Sequence, residues 1–404
     1  MTPLPITHHT LSTALGLGLD EHVVALHERR CGLRPCDFPD VTLAGWIGQV
    51  RGLDGVRLPE GLADWNCRNH RLAWLALQQD GFLDAVAQAR ARWGAHRVAV
   101  LLGTSTSGIY ETELAYRRRE DGPAGPGTGE LPADFHYGET HNNGALGRFV
   151  AAALDLAGPT WVVSTACSSS AKVYASAQRL IEAGWIDAAV VGGVDSLCLT
   201  TLYGFNALEL FSPDICRPWD ARRSGLSLGE AAAYGLVQRD AAGAPGGVPA
   251  GWLLGCGESS DGHHMSSPHP EGLGAVAAMR MALADAGLGA DDIDYINLHG
   301  TATPGNDAAE DRAVRAVFGD RVPASSTKGA TGHTLGAAGG VEASLSLLAI
   351  REGLMPGGLH REVPDPDLHI AYLGENRHAP VRRVLSNSFG FGGSNASLVF
   401  GGAA

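Results

Sequence analysis

At 404 residues with 45% hydrophobic side chains, the chain is long enough for two domains and a sizeable core. A net charge of −13 without a long basic run argues against nucleic acid as the main partner. No apolar stretch approaches the ~18 residues that a membrane helix needs, and the start Met1-Thr-Pro-Leu-Pro lacks the basic region of a signal peptide. The seven cysteines form no paired Cys-x-x-Cys motif, so reduced thiols in a cytoplasmic protein are expected. A local basic patch for an acidic protein partner can still lie around Arg68 and Arg71, or around Arg222 and Arg223.

In the first half, a helix-like stretch over 71–93 leads into a strand at 98–102 that ends in Gly-Thr-Ser-Thr-Ser-Gly. The apolar run Trp161-Val162-Val163 precedes Cys167. Val173, Tyr174, Ala177, Leu180 and Ile181 then recur at helical spacing. Cys167 therefore sits at a strand-to-helix junction, where a helix N-terminus favours an anion and lowers a thiol pKa. Small neighbours, Ala166 and Ser168–Ser170, let a substrate approach the sulfur. Taken alone, the cysteine fits either a nucleophile or a small buried residue at a helix start. A Gly-rich strand is expected at Ala188–Gly193, and the Gly-, Pro- and Ala-rich segment 241–250 reads as a linker.

The second half repeats this order: a helix-like stretch over 275–286, a strand at 295–298, then His299 and Gly-Thr-Ala-Thr-Pro-Gly. A small-residue turn leads to Lys328 and His333. A Gly-rich strand region over 384–400 is broken by Phe389-Gly-Phe391-Gly-Gly. Strands alternating with helices indicate an α/β architecture with both sheet faces covered, and the echo indicates an internal duplication. His299 lies at a strand end, where open α/β sheets bind ligands, or is a capping or core histidine. Asp307 and Glu310 follow at helical spacing and also fit plain N-terminal helix acids. Lys328, if buried, needs an anion, for which Glu342 is the candidate. The run around Lys328 lacks the order of a phosphate loop. His263, His264 and His269 have no acid or cysteine at ligand spacing and read as loop residues, not a metal site. The glycines around Phe389 and Phe391 fit a mobile turn with exposed N–H groups, or a bulged core strand.

Four motifs in order carry a resemblance: Thr-Ala-Cys-Ser-Ser, His-Gly-Thr-Ala-Thr-Pro-Gly-Asn-Asp, Thr-Lys-Gly-Ala-Thr-Gly-His-Thr-Leu-Gly-Ala-Ala-Gly and Asn-Ser-Phe-Gly-Phe-Gly-Gly-Ser-Asn. From about Thr7 to Phe400 the chain resembles the elongating β-ketoacyl-acyl carrier protein synthases, condensing enzymes of the thiolase superfamily. The resemblance implies a five-layered αβαβα fold of two duplicated halves, here 1–243 and 250–404, and a homodimer or a heterodimer with a related chain. It implies Cys167 as nucleophile, His299 and His333 as paired histidines, and Lys328 as the lysine that supports them, positioning His333. Asp307, Glu310 and Glu342 match acidic positions, Phe389 and Phe391 gating phenylalanines, and Thr301 and Thr303 threonines that hold the pantetheine arm. Phe205 and Thr106 match acyl-pocket positions. The backbone N–H groups of Cys167 and Phe391 would form the oxyanion hole.

The implied reaction is a decarboxylating condensation of an acyl chain on Cys167 with malonyl-acyl carrier protein. No metal or organic cofactor is expected beyond the phosphopantetheine that carries the substrates. Alternatives are a thiolase-type acyltransferase, a cysteine hydrolase, or a non-catalytic partner subunit. A degradative thiolase would have a second cysteine near the C-terminus, but the last cysteine here is Cys256. Three departures from the family pattern stand out: Ile6-Thr-His-His-Thr10, Gly229-Glu230-Ala-Ala-Ala233, and the polar Thr104-Ser-Thr106 loop. The last suggests an unusual acyl chain, such as the unsaturated or aryl-bearing chains of aryl-polyene synthesis.

Overall fold

The computed structural model describes residues 1–402, and two equivalent sets of five strands form its scaffold. The first set is β1 (Leu4–Thr13), β2 (Val98–Gly103), β3 (Thr160–Val163), β4 (Ala188–Asp195) and β5 (Ala231–Gln238). The second is β6 (Gly251–Ser260), β7 (Tyr295–Asn297), β8 (Ala324–Ser325), β9 (Arg383–Gly390) and β10 (Ser394–Gly401). Their spatial order is β8-β7-β9-β10-β6-β1-β5-β4-β2-β3, with the short Gly16–Leu17 pairing off β1. Counted within each half, both sets run third, second, fourth, fifth, first. Directions match as well: β2 is parallel to β3 and β4 as β7 is to β8 and β9, and the other neighbours are antiparallel. Identical order and direction in both halves carry the duplication more firmly than any echo of letters.

The halves meet through Leu4–Ile6 of β1 against Gly251–Leu253 of β6. Between them lie α4 (Ser169–Glu182) and α7 (Ala338–Glu352), introduced here with the outer helices α1 (Arg68–Leu77), α2 (Phe82–Trp93), α3 (Gly144–Ala153), α5 (Leu273–Ala286) and α6 (Pro304–Phe318). The central core mixes both halves: Val173 and Tyr174 of α4 and Leu347 of α7 pack with Leu101, Val191, Leu398 and Phe400. Helices α1–α3 cover the first sheet through Leu72, Phe82 and Phe149, and α5 and α6 cover the second through Met279, Val314 and Phe318. Helix, sheet, helix, sheet, helix is the expected five-layer stack. Strands β4 and β5 are buried along their whole length, as strands covered on both faces must be.

The stretch 71–93 is two helices, not one. Asp80 and Gly81 take left-handed φ values of 54° and 65°, which ends α1 and starts α2. The Asp80 carboxylate is held there by the Thr10 hydroxyl at 2.7 Å and the Leu19 N–H at 3.0 Å. The C-terminal strand region is a hairpin: β9 and β10 join through Phe391–Gly393, with Gly392 and Gly393 at φ 79° and 74°. That is a turn and not a bulged strand. The Glu230 departure also has a structural reason. Its buried carboxylate takes two hydrogen bonds from Arg68, at 2.8 and 2.7 Å, and the N–H groups of Val50 and Leu197.

Candidate active site

Where β3 ends, the chain turns through Ser164–Cys167 into α4. Ala166 holds a left-handed φ of 51°, a conformation that costs a residue with a Cβ about 1–2 kcal/mol. The serines after the cysteine secure it: Ser169 Oγ accepts from Thr165 N–H at 2.9 Å and donates to the Ala166 carbonyl at 2.6 Å, and Ser168 Oγ donates to the Thr165 carbonyl. This turn delivers Cys167 into the contact between the two halves, where it is 4% exposed. Burial pushes its thiol up to about 12, against the opposing pull of the Lys328 charge and the Phe391 N–H. The thiolate expected from the helix N-terminus is thus overridden by desolvation, and the resting group is a neutral thiol.

A neutral thiol needs a base, and His333 Nε2 lies 3.0 Å from Cys167 Sγ. The His333 Nδ1 is buried and has no partner among the described residues, so its proton is free to sit on either nitrogen. The His299 ring stands at 87° to that of His333, centroids 5.3 Å apart. Two backbone bonds fix His299: Glu310 accepts its N–H and that of Gly300, both at 2.8 Å. Lys328 Nζ donates to the His299 carbonyl and lies 3.4 Å from His299 Nδ1. An ammonium only donates, so Nδ1 must accept, and the proton of His299 is on Nε2. Burial and the Lys328 charge hold both histidines well below the usual imidazole range, so both are neutral.

Lys328 is itself buried and ion-paired with Glu342. The expected lysine–acid pair is present, but its direct hydrogen bonds go to His299 and not to His333, which feels only its charge. Glu310 also accepts from Asn387 Nδ2 at 3.2 Å, and burial pushes its carboxyl up to about 7. Asp307, pushed up to about 6 by burial, takes the N–H groups of Trp219 and Ala302 and faces Arg223 at 3.6 Å. These acids shape the loops that carry the histidines and do not reach the cysteine.

A cavity of about 380 Å³ opens onto Cys167, His299 and His333. Thr301 and Thr303 line it with hydroxyls 2.9 Å apart. Phe389 and Phe391 line it from the hairpin, and the Phe205 ring lies tilted against that of Phe391, centroids 5.4 Å apart. The hairpin is tethered to the loop bearing the three expected loop histidines: Gly392 N–H donates to the Met265 carbonyl and Asp261 N–H to that of Gly393. His263 reaches the cavity wall.

Thr106 does not line this cavity. Its hydroxyl and N–H both go to Asp195 at 2.8 Å, and the same buried carboxylate takes Thr104 Oγ1, Ser105 N–H and Gly336 N–H. The polar loop is explained by this carboxylate at the end of β4, which sequence reasoning missed along with Asn387. The Asn387 signal was present, beside Phe389 in the Asn-Ser-Phe motif. The expected basic patches are also absorbed internally. Arg68 pairs with Glu230, Arg71 with Glu111 at 3.5 Å, Arg222 with Asp220 and Glu362, and Arg223 with Asp365.

Comparison with known proteins agrees with this geometry. The β-ketoacyl synthase N-terminal domain profile matches residues 69–242, and the C-terminal domain profile matches residues 250–362. The mitochondrial 3-oxoacyl-[acyl-carrier-protein] synthase of Arabidopsis thaliana is 40% identical over 259 residues, 60% of this chain and 56% of the relative. Thus the chain spans little more than half the length of that relative. The 3-oxoacyl-[acyl-carrier-protein] synthase 2 of Coxiella burnetii is 35% identical over 78% of this chain and 80% of its own. Among solved structures, the ketosynthase ApeO in complex with its chain length factor ApeC from Xenorhabdus doucetiae superposes with a TM-score of 0.88. It is 38% identical over 99% of this chain and 98% of that one. Two domains matched in sequence order, and relatives aligned over most of its length, make this chain a member of the β-ketoacyl synthase family.

Proposed function

We propose that the protein performs a decarboxylating Claisen condensation, joining an acyl chain on Cys167 to malonyl-acyl carrier protein to give 3-oxoacyl-acyl carrier protein and carbon dioxide. The observation that carries this reading is Cys167, His299 and His333 converging on a single cavity, with His333 Nε2 3.0 Å from the sulfur. Cys167 Sγ attacks the incoming thioester while its proton passes to His333 Nε2, and that proton leaves on the departing pantetheine thiol. The N–H groups of Cys167 and Phe391 receive the oxyanion. When the malonyl group loses carbon dioxide, its electron pair becomes an enolate. His299 Nε2–H, oriented through Lys328, and His333, once its remaining proton has moved from Nδ1 to Nε2, hydrogen-bond the enolate oxygen. The nucleophilic carbon attacks the acyl carbonyl, the Cys167–acyl bond breaks, and the released thiolate takes a proton from water to restore the resting thiol.

Glycines 392 and 393 in the hairpin suit Phe389 and Phe391 to a gating role, and Thr301 and Thr303 face the path of the pantetheine arm. Residues 1–243 and 250–404 are read as the duplicated halves, in keeping with family domains that part between 242 and 250. The partners are an acyl carrier protein and a second condensing-enzyme chain. The likeness to a ketosynthase seated on its chain length factor favours a heterodimer. An unsaturated or aryl-bearing acyl chain, as in aryl-polyene synthesis, is the substrate we infer, and Thr106 offers it no direct contact. No helix among the described residues is long and apolar enough to cross a membrane, and a cytoplasmic site beside its carrier protein is the matching location.

Intact-mass analysis after incubation with a panel of acyl-carrier substrates tests this reading. The acyl group is expected on Cys167, polyenoyl chains are expected to load in preference to saturated ones, and Cys167→Ala is expected to abolish condensation. A Cys167→Ala protein that still condenses overturns the assignment.

A further inference from the structure

The basic residues expected to face a partner pair with carboxylates of the same chain, so a cation at the cavity without an ion-pair partner among the described residues stands out. Arg312 is exposed and lies eight residues after Pro304, about 12 Å along α6. It lines the catalytic cavity and also a neighbouring surface cleft that it shares with Arg315. Its guanidinium makes one hydrogen bond, from Nη1 to the Pro270 carbonyl at 2.7 Å, and has no carboxylate within ion-pair distance among the described residues. The nearby acids are otherwise engaged. Asp311 accepts the N–H groups of His369 and Ile370, Asp365 pairs with Arg223, and Asp261 accepts from Asn395 and His269. Asp367, on the far cleft, remains exposed.

The cavity lining is therefore graded. Among its polar lining side chains, His299, Thr301 and Thr303 are buried and Arg312 is exposed. Resting on the condensing reading above, we propose that Arg312 binds the phosphodiester at the outer end of the substrate's phosphopantetheine arm. A guanidinium offers five N–H donors in a planar fork that matches phosphate oxygens. One donor holds Pro270, which leaves the others for the anion. Because Pro270 belongs to the loop tied to the Phe391 hairpin, the phosphate docks on a residue already joined to the gate.

Steady-state kinetics with three malonyl donors tests the assignment: malonyl-acyl carrier protein, malonyl-phosphopantetheine, and malonyl-pantetheine, which lacks the phosphate. Arg312→Ala is expected to lower kcat/KM for both phosphate-bearing donors roughly tenfold relative to the pantetheine donor. Arg312→Lys is expected to restore part of that preference, because an ammonium keeps the charge without the fork. An equal fall on all three donors, or no fall, overturns the proposal. A fall confined to the carrier-protein donor overturns it too, placing the contact on the carrier's own surface. Wild-type protein that releases no carbon dioxide from any donor would instead sink the condensing reading itself.

Discussion

Lys328 links the chemistry of the two histidines to the interior. It fixes the His299 tautomer by donating toward Nδ1, and burial, aided by its charge, holds both imidazoles neutral. Cys167 and His333 meet without it. Lys328→Ala is therefore expected to separate the two half-reactions. Acylation of Cys167, followed by intact mass, should persist within about tenfold. Carbon dioxide release should fall by roughly 100-fold, the usual scale for losing a positioned transition-state donor. Without Lys328, burial keeps the Glu342 carboxyl protonated and its Oε1 unpartnered, which would also destabilise the protein by about 1–3 kcal/mol, and adding Glu342→Gln should restore most of the melting temperature but not the decarboxylation. The positions of Cys167, His299, His333 and Lys328 were legible because each sits in a short motif. The state of the thiol was not. Its pKa depends on how completely the second half covers it, which no local pattern reports.

Elements decide which motif residues meet. The β9–β10 hairpin approaches the Cys167 turn so closely that a Cβ on Gly390 would lie 2.8 Å from the Thr165 carbonyl oxygen and 3.2 Å from the Cys167 nitrogen. Gly390→Ala is expected to push the Phe391 N–H away from the sulfur and to slow acylation by about 100-fold. Gly392→Ala, with open space around it but a φ of 79°, should act mainly through backbone strain in the turn. Rapid-quench measurement of acyl-enzyme formation distinguishes them. Helices α1 and α3 meet through His70, which stacks on Phe149 at 4.6 Å and donates from Nδ1–H to the Trp65 carbonyl at 2.8 Å. Burial holds its imidazole down at about 4. A depressed imidazole stabilises the fold above the unfolded value near 6.5, and that contribution is lost as pH falls toward about 4. Between pH 6.5 and 5, wild type should lose about 2 kcal/mol relative to His70→Phe, measured by urea unfolding. The helix break at Asp80–Gly81 escaped the sequence because apolar spacing continues across it. What ends α1 is a carboxylate bound to β1, some seventy positions earlier. The Arg68–Glu230 pair was hidden for the same reason, since its members lie in different layers.

For the whole molecule, the duplication was legible in the order of patterns, while the strand order within each half depends on pairings that sequence does not reveal. The line of strands ends at β3, whose outer edge has no neighbour among the described residues and carries Trp161 at 44% exposure. A short edge strand with an exposed indole calls for cover. Trp161→Glu is expected to shift the assembly toward single chains at micromolar concentration, read by sedimentation. An unchanged mass would place the subunit contact elsewhere.

The join between the halves has a further consequence. Only Leu4–Ile6 and Gly251–Leu253 pair across the sheet, and the covalent link between the halves runs through exposed Pro245, Gly246 and Gly247. The rest of what unites them is side-chain burial around α4 and α7, with hydrogen bonds and ion pairs such as Gly336 N–H to Asp195 and Arg223 to Asp365, none of which needs a continuous backbone. Two separately synthesised polypeptides, broken at Gly246, should find each other and rebuild the cavity. Condensation would then appear only on mixing, because the thiol belongs to one fragment and both imidazoles to the other.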